Sequence, residues 1–383
     1  MESITLAVFF AFSLLTSLWL GHLTLRNARR LNLGEDEGVG VQKFHSHWVP
    51  RLGGIPIFVA FFTGVMGLAL TFHEQIGLST ALIVCLLPAF GIGLVEDFTR
   101  RAGVFTRLVF TMISAALGWW LLDAELMRLD IPVIDSLLSN SSWAALILTL
   151  VAVAGVAHAV NIIDGYNGLS GFYAFVVAGA LAIVAGQVED YFLMKCALML
   201  AAALLGFLFW NFPYGKIFMG DAGAYLTGFL IAEISVMLVA RNPQVSPWFP
   251  LLLMVYPVWE TLYSMARRAA YGLSQVGRPD ALHLHHLIYR RLVKRWGGSR
   301  DPHHRMMRNS VTSLYVWGLS TLCAIPAILF WSHTAILMQF VGLFVVSYIV
   351  LYRRLVQFRS PQFLVIRAPV SRLGKVDDKT LVL

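Results

Sequence analysis

The sequence predicts an all-α, polytopic integral membrane protein of about eleven transmembrane helices, and three observations predict it. Apolar residues make up 58% of the 383 residues and charged residues only 13%, about half the charged share of a soluble domain. The mean hydropathy is +0.72. Apolar runs close to the ~20 residues that cross a hydrocarbon core recur along the whole length.

The first run, 3–23, has neither a basic leader nor a small-residue cleavage site and is read as a helix, not a signal peptide. The second, 51–71, is entered sharply through Pro50 and the pair Gly53–Gly54. The third, 77–95, ends on the acidic pair Glu96–Asp97. The fourth spans 104–123, and 142–160 and 168–186 flank the polar stretch NIIDGYNGLSG. The remaining spans are 191–210, then 219–240, which opens on GDAG, then 247–267, 311–331 and 334–352. Cys85, Cys196 and Cys323 all lie inside these runs, so neither a disulfide framework nor a zinc site is expected. No repeat or linker divides the chain. It reads as one transmembrane domain, 1–352, including the loop 268–310, followed by a basic tail, 353–383.

Eleven spans place the termini on opposite faces. Of the 29 Lys and Arg, only Arg128 and Arg241 fall on one face, and Lys195 sits within a span. The basic face is expected to be cytoplasmic, with the N-terminus outside and the tail inside. The net charge of +8 therefore reflects topology and contact with anionic lipid, not nucleic acid.

The polar clusters all fall on the basic face. Glu96 and Asp97 form a carboxylate pair able to hold a divalent cation or handle a proton, or to be neutralised by Arg100 and Arg101. Asn161, Asp164 and Asn167 recur every third residue, so one helical turn would align them, and helix capping would account for one of them but not three. Asp221 enters an apolar segment, which is costly unless the carboxylate is paired or binds a cation. A helix N-terminus there also suits phosphate. His283, His285 and His286, among arginines, suit an anionic phosphate better than zinc. His45 and Arg51, in KFHSHWVPRLGG, add cationic contacts.

Taken in order, HxxxxPRxGG, the acidic pair, NxxDGxxG, GDxG and HxHH resemble the polyprenyl-phosphate N-acetylhexosamine-1-phosphate transferases, the family of WecA, TagO and MraY. The resemblance runs from about His45 to Arg291. It implies transfer of a sugar 1-phosphate from a UDP-N-acetylhexosamine to undecaprenyl phosphate at the inner face of the bacterial cytoplasmic membrane, with release of UMP. It also implies Mg²⁺, with Mn²⁺ able to substitute, on Asp221 close to Asp97, and a catalytic set of Asp97, Glu96 and Asp221. The uridine end falls to Asn161, Asp164 and Asn167, with Phe218 stacking on uracil, and the three histidines become substrate contacts. A homodimer is left open.

Two positions depart from the family's commonest form. Glu96 stands where the acidic pair usually begins with Asp, and Asn167 replaces a second aspartate. The HLHH form is closer to the WecA-like polysaccharide branch than to the peptidoglycan branch, which favours a simple UDP-sugar such as UDP-GlcNAc. Two other readings are a transporter working through Glu233 and Glu260 in the membrane interior, and an inactive lipid-binding homologue.

Overall fold

The computed structural model describes residues 2–31, 49–270, 272, 282–293 and 302–366. His45 and the end of the basic tail lie outside them.

Every predicted apolar run is helical. The first eight spans appear as α1 (Glu2–Leu31), α2 (Gly54–Thr71), α3 (Ile76–Thr99), α4 (Val104–Leu122), α6 (Ser142–Ile163), α7 (Leu169–Gln187), α8 (Tyr191–Asn211) and α9 (Gly220–Arg241). The last two are α13 (Pro302–Leu329) and α14 (Thr334–Val356). Between α4 and α6 lies α5 (Pro132–Asn140), a short helix that the sequence reading left as loop. Side-chain caps fix two of the starts. Ser141 accepts the N–H of Ala144 before α6, and Asp190 accepts that of Leu193 before α8.

The ninth predicted span is corrected. Instead of one helix over 247–267, the chain forms α10 (Trp248–Leu253) and α11 (Val255–Ala269), which meet at Met254. Ten helices among the described residues are each long and apolar enough to cross a membrane alone, and α10 with α11 carries the chain from the Arg241 end back to the histidine end as a broken span. Proline explains the break. Pro257 has no N–H to give to the carbonyl of Leu253, and its ring crowds that carbonyl. The freed oxygen accepts the Tyr173 hydroxyl at 3.2 Å instead. Next comes α12 (Leu284–Arg291), which carries the histidines. The predicted domain boundary at 352 falls inside α14.

The centre of the bundle is α9, buried at every position from Gly220 to Val239. It packs against α2, α3, α4, α6, α7 and α8. The periphery is apolar and exposed, as on α1, where Ile4, Val8, Phe12, Leu15 and Trp19 face outward. At one end of the bundle Arg241 pairs with Asp190 (3.4 Å) and Arg128 with Asp130 (2.7 Å). All the predicted functional clusters that are described lie at the other end.

Candidate active site

Close backbone packing builds the site. The chain entering α2 runs beside the chain entering α9. Gly53 N–H donates to Phe218 O and Gly54 N–H to Met219 O, each at 2.9 Å, and Phe218 N–H donates to Pro50 O at 2.9 Å. A side chain at Gly54 would place its Cβ 2.4 Å from the backbone nitrogen of Gly223. At Gly93 of α3 it would lie 2.4 Å from Ala222 Cα. Gly220 has a positive φ of 74°, and a Cβ there would meet Arg51 O at 2.3 Å. These contacts bring PRxGG, the acidic pair and GDxG together.

Asp97 is buried, and its carboxylate accepts the N–H groups of Asp221 (2.8 Å) and Ala222 (2.9 Å). It thus caps α9 from another helix, where unpaired N–H groups and the helix dipole favour negative charge. Asp221, held in place by that cap, accepts from two guanidinium groups. Arg51 Nη2 donates to its Oδ1 at 2.8 Å, and Arg107 Nη1 donates to its Oδ2. Arg51 also lies 3.8 Å from Asp97, and Arg107 lies 4.0 Å from Glu96. Glu96 bends back to accept the N–H of Ala102 at 2.8 Å, steadying the turn between α3 and α4. Arg107 is the residue the motif reading missed. Its signal was its position, one helical turn inside α4 directly after the acidic pair.

The NxxDGxxG stretch is corrected in one respect. Asn161, Asp164 and Asn167 do not share a helix face, because α6 ends at Ile163 and a turn leads to Gly168, which has a φ of 74°. Asn161 sits in the last turn of α6, and Asp164 caps it. The Ser170 hydroxyl donates to Asp164, and burial pushes that carboxyl up to about 6, against the pull of Ser170 and Arg51. Asn167 is occupied by the fold. Its N–H donates to Asn309 Oδ1 (2.7 Å), and its amide donates to Pro213 O (3.0 Å) and Ser310 Oγ (3.3 Å). Its carbonyl accepts from Ser313 (2.7 Å). Asn167 therefore ties the loop to α13. Phe218 is half-buried on the extended segment that enters α9.

His283, His285 and His286 are buried and adjacent, with ring centroids 4.4–5.8 Å apart. His286 Nδ1 lies 3.0 Å from the Tyr166 hydroxyl, which joins this cluster to the NxxDGxxG loop. Burial, reinforced by the two neighbouring imidazoles, pulls His285 well below the usual histidine range, so it is neutral. Glu260 belongs to this cluster, 2.9 Å from His283 Nδ1. Glu233 is buried in α9 beside Gly118, and neither of its oxygens has a partner among the described residues. Among the described residues no hydrogen bond links the two glutamates.

Among the described residues no group of three His, Cys, Asp or Glu is placed to hold a metal ion, and Asp221 and Asp97 offer a pair of carboxylates. Mg²⁺ takes one or two carboxylates together with substrate phosphates. Here a guanidinium already bridges Asp221 and Asp97 as a cation.

Fold and site together define a polytopic membrane enzyme with a buried centre of paired carboxylates and guanidinium groups at one end of its helix bundle. Residues 79–239, which include the acidic pair, NxxDGxxG and GDxG, match glycosyl transferase family 4. The chain is 26% identical to a probable undecaprenyl-phosphate N-acetylglucosaminyl 1-phosphate transferase of Bacillus subtilis, over 74% of this chain and 77% of that protein. It is 30% identical to a phospho-N-acetylmuramoyl-pentapeptide-transferase of Bacillus cytotoxicus, over 58% and 72%. It is 28% identical to a decaprenyl-phosphate N-acetylglucosaminephosphotransferase of Mycolicibacterium smegmatis, over 64% and 66%. The chain belongs to glycosyl transferase family 4, as its motifs led one to expect, and is a membrane-bound phosphotransferase of the polyprenyl-phosphate type.

Proposed function

We propose that the protein transfers N-acetylhexosamine 1-phosphate from a UDP-N-acetylhexosamine, UDP-GlcNAc or a close relative, to undecaprenyl phosphate, releasing UMP. In this reading it starts a cell-envelope polysaccharide, with its basic end facing the cytoplasm of the bacterial inner membrane. The observation that carries it is the convergence of Arg51 and Arg107 on Asp221, backed by Asp97, at the headgroup end of the bundle. Donor diphosphate and lipid phosphate are both anionic and repel as they approach, and since Asp221 and Asp97 offset the charge of Arg51 and Arg107 here, a divalent cation at this centre would supply the positive charge the reaction requires.

An acceptor phosphate oxygen attacks the β-phosphorus, a new P–O bond forms, and the bond to the bridging oxygen of UMP breaks. The acceptor's second pKa is about 6, so much of it is already dianionic at neutral pH, and a strong protein base is not needed. Asp97, with both oxygens accepting backbone N–H groups, suits the work of holding Asp221 in place better than that of a nucleophile. Mg²⁺ held by Asp221 with Asp97 would supply neutralisation of charge on the diphosphate and leaving UMP. Arg51 and Arg107 hold Asp221 and are within reach of the same phosphates. Asp164, beside the end of α6, faces the nucleoside end, with Asn161 and Phe218 as further contacts.

The test uses purified protein in detergent with undecaprenyl phosphate, Mg²⁺ and a panel of UDP-N-acetylhexosamines, with Asp221→Ala as control. UMP release that requires lipid, metal and Asp221 supports the reading, and the best donor names the sugar. Release that does not require the lipid overturns it.

A further inference from the structure

The histidine cluster is held from behind in a way that makes its members unequal. The Glu260 carboxylate, almost fully buried, accepts from three groups on two other elements. His283 Nδ1 lies 2.9 Å from one oxygen, Leu284 N–H reaches the carboxylate at 3.1 Å, and the Tyr348 hydroxyl of α14 donates at 2.9 Å. A carboxylate only accepts. The proton on His283 is therefore on Nδ1, and in the neutral ring Nε2 is the acceptor.

His285 is arranged the other way. Its Nδ1 lies 3.1 Å from the hydroxyl of Tyr256, which is itself buried. The phenol has one proton to give. Donating it to Nδ1 satisfies both groups and puts the ring proton of this neutral imidazole on Nε2. That Nε2 is buried with no partner among the described residues. A buried donor in this state is unfavourable until an oxygen acceptor reaches it. The two rings stack with centroids 5.4 Å apart and planes 12° from parallel, so neighbouring imidazoles carry opposite tautomers.

We propose that Glu260 is a positioning residue for the transfer reaction: it fixes the tautomer of His283 and seats the start of α12 against α11 and α14. His283 is thereby held with its Nδ1–H on Glu260 while its ring stacks on that of His285. This proposal rests on the transferase reading above. It also gives Glu260 a role that a membrane-interior carboxylate read by itself did not suggest.

The experiment compares wild type, Glu260→Gln, Glu260→Asp and Tyr348→Phe as full-length protein in nanodiscs. UMP release gives kcat and KM for the UDP-sugar, and thermal melting monitors the fold. In parallel, ¹⁵N resonances of histidine-labelled protein at pH 8, assigned for His283 by subtraction with His283→Gln, report the tautomer directly. We expect a proton on Nδ1 of His283 in wild type and its loss or mixing in Glu260→Gln. We expect kcat to fall ~10–100-fold in that variant, the usual cost of removing a group that orients a working histidine, with KM changed by less. Glu260→Asp should recover part of kcat, and Tyr348→Phe should lose only a few-fold. Wild-type kcat in a folded Glu260→Gln, or an Nε2 proton on His283 in wild type, overturns the proposal. If Glu260→Gln does not fold, Glu260→Asp and Tyr348→Phe carry the same comparison. If wild type turns over no donor, the transferase reading fails and Glu260's catalytic role falls with it. The resonance still decides whether Glu260 sets the tautomer.

Discussion

Asp164 carries a pH dependence with a definite sign. Its carboxyl sits at about 6 in the folded protein, above its ordinary value near 4. The folded state therefore binds the proton more tightly than the unfolded one. The stabilisation from that proton is present at low pH and is lost as pH rises through about 6, so the charged form burdens the fold by about 3 kcal/mol at pH 8. Asp164→Asn is expected to raise the melting temperature at pH 8 and to change it little at pH 4. Because the carboxylate is the form proposed to meet the nucleoside, kcat/KM in wild type should fall below about pH 6. That limb should flatten in the variant, at a much reduced rate. Arg107 gives a second expectation. As a cation on Asp221 it competes with Mg²⁺, so Arg107→Ala should lower the Mg²⁺ concentration for half-maximal rate while raising KM for the nucleotide sugar. A titration of UMP release against Mg²⁺ reads both. Of these residues, Asp97, Asp164 and Asp221 were legible as carboxylates in membrane-edge motifs. Arg107, Tyr166 and Tyr256 were not, because a lone arginine at a helix start and tyrosines near apolar runs look the same whether or not they face a site. Asn167 was legible as polar but not as a tie to α13, since its partners lie more than forty residues away.

At the scale of elements, the glycines separate into those that contact backbone and those that face open space. Gly54→Ala must push its Cβ into the backbone of α9, which cannot move without disturbing Asp221, so a loss of about 1–3 kcal/mol of stability is expected. Activity should go with it. Gly179, in α7, has nothing within 4 Å of its would-be Cβ. Gly179→Ala is expected to be stabilising by about 0.5–1 kcal/mol, with unchanged turnover. Thermal melting in one detergent checks both. Most helix ends were legible to within a few residues, but α1 continues past its predicted end at 23 to Leu31, and α13 begins at Pro302 instead of 311, because charged residues at the membrane edge extend a helix that the hydropathy no longer marks. The interruption at Met254 was not legible: hydropathy averages across a window, and Pro250 and Pro257 leave that average unchanged while removing backbone donors.

For the whole molecule, the segregation of charge predicts orientation. Arg101 lies at the basic end and Glu189 at the opposite end, both exposed. On intact cells a membrane-impermeant maleimide should label Glu189→Cys and spare Arg101→Cys until the membrane is opened. The reverse pattern would place the active site outside. The native Cys85, Cys196 and Cys323 are buried and should give little background. Overall architecture was the most legible feature, because span length and charge asymmetry are properties of the bilayer as much as of the fold.

The complete burial of α9 has a consequence for how the enzyme meets different lipids. A helix in contact with acyl chains must tilt or distort when the bilayer is thinner or thicker than its apolar length. Here that adjustment falls on peripheral helices such as α1, whose outward row of large apolar side chains is exposed. α9, which carries Asp221 at its head, touches only other helices over nearly all its length. Turnover is therefore expected to hold nearly constant across vesicles of short and long acyl chains, even as the outer helices change tilt. The central helix is insulated from hydrophobic mismatch.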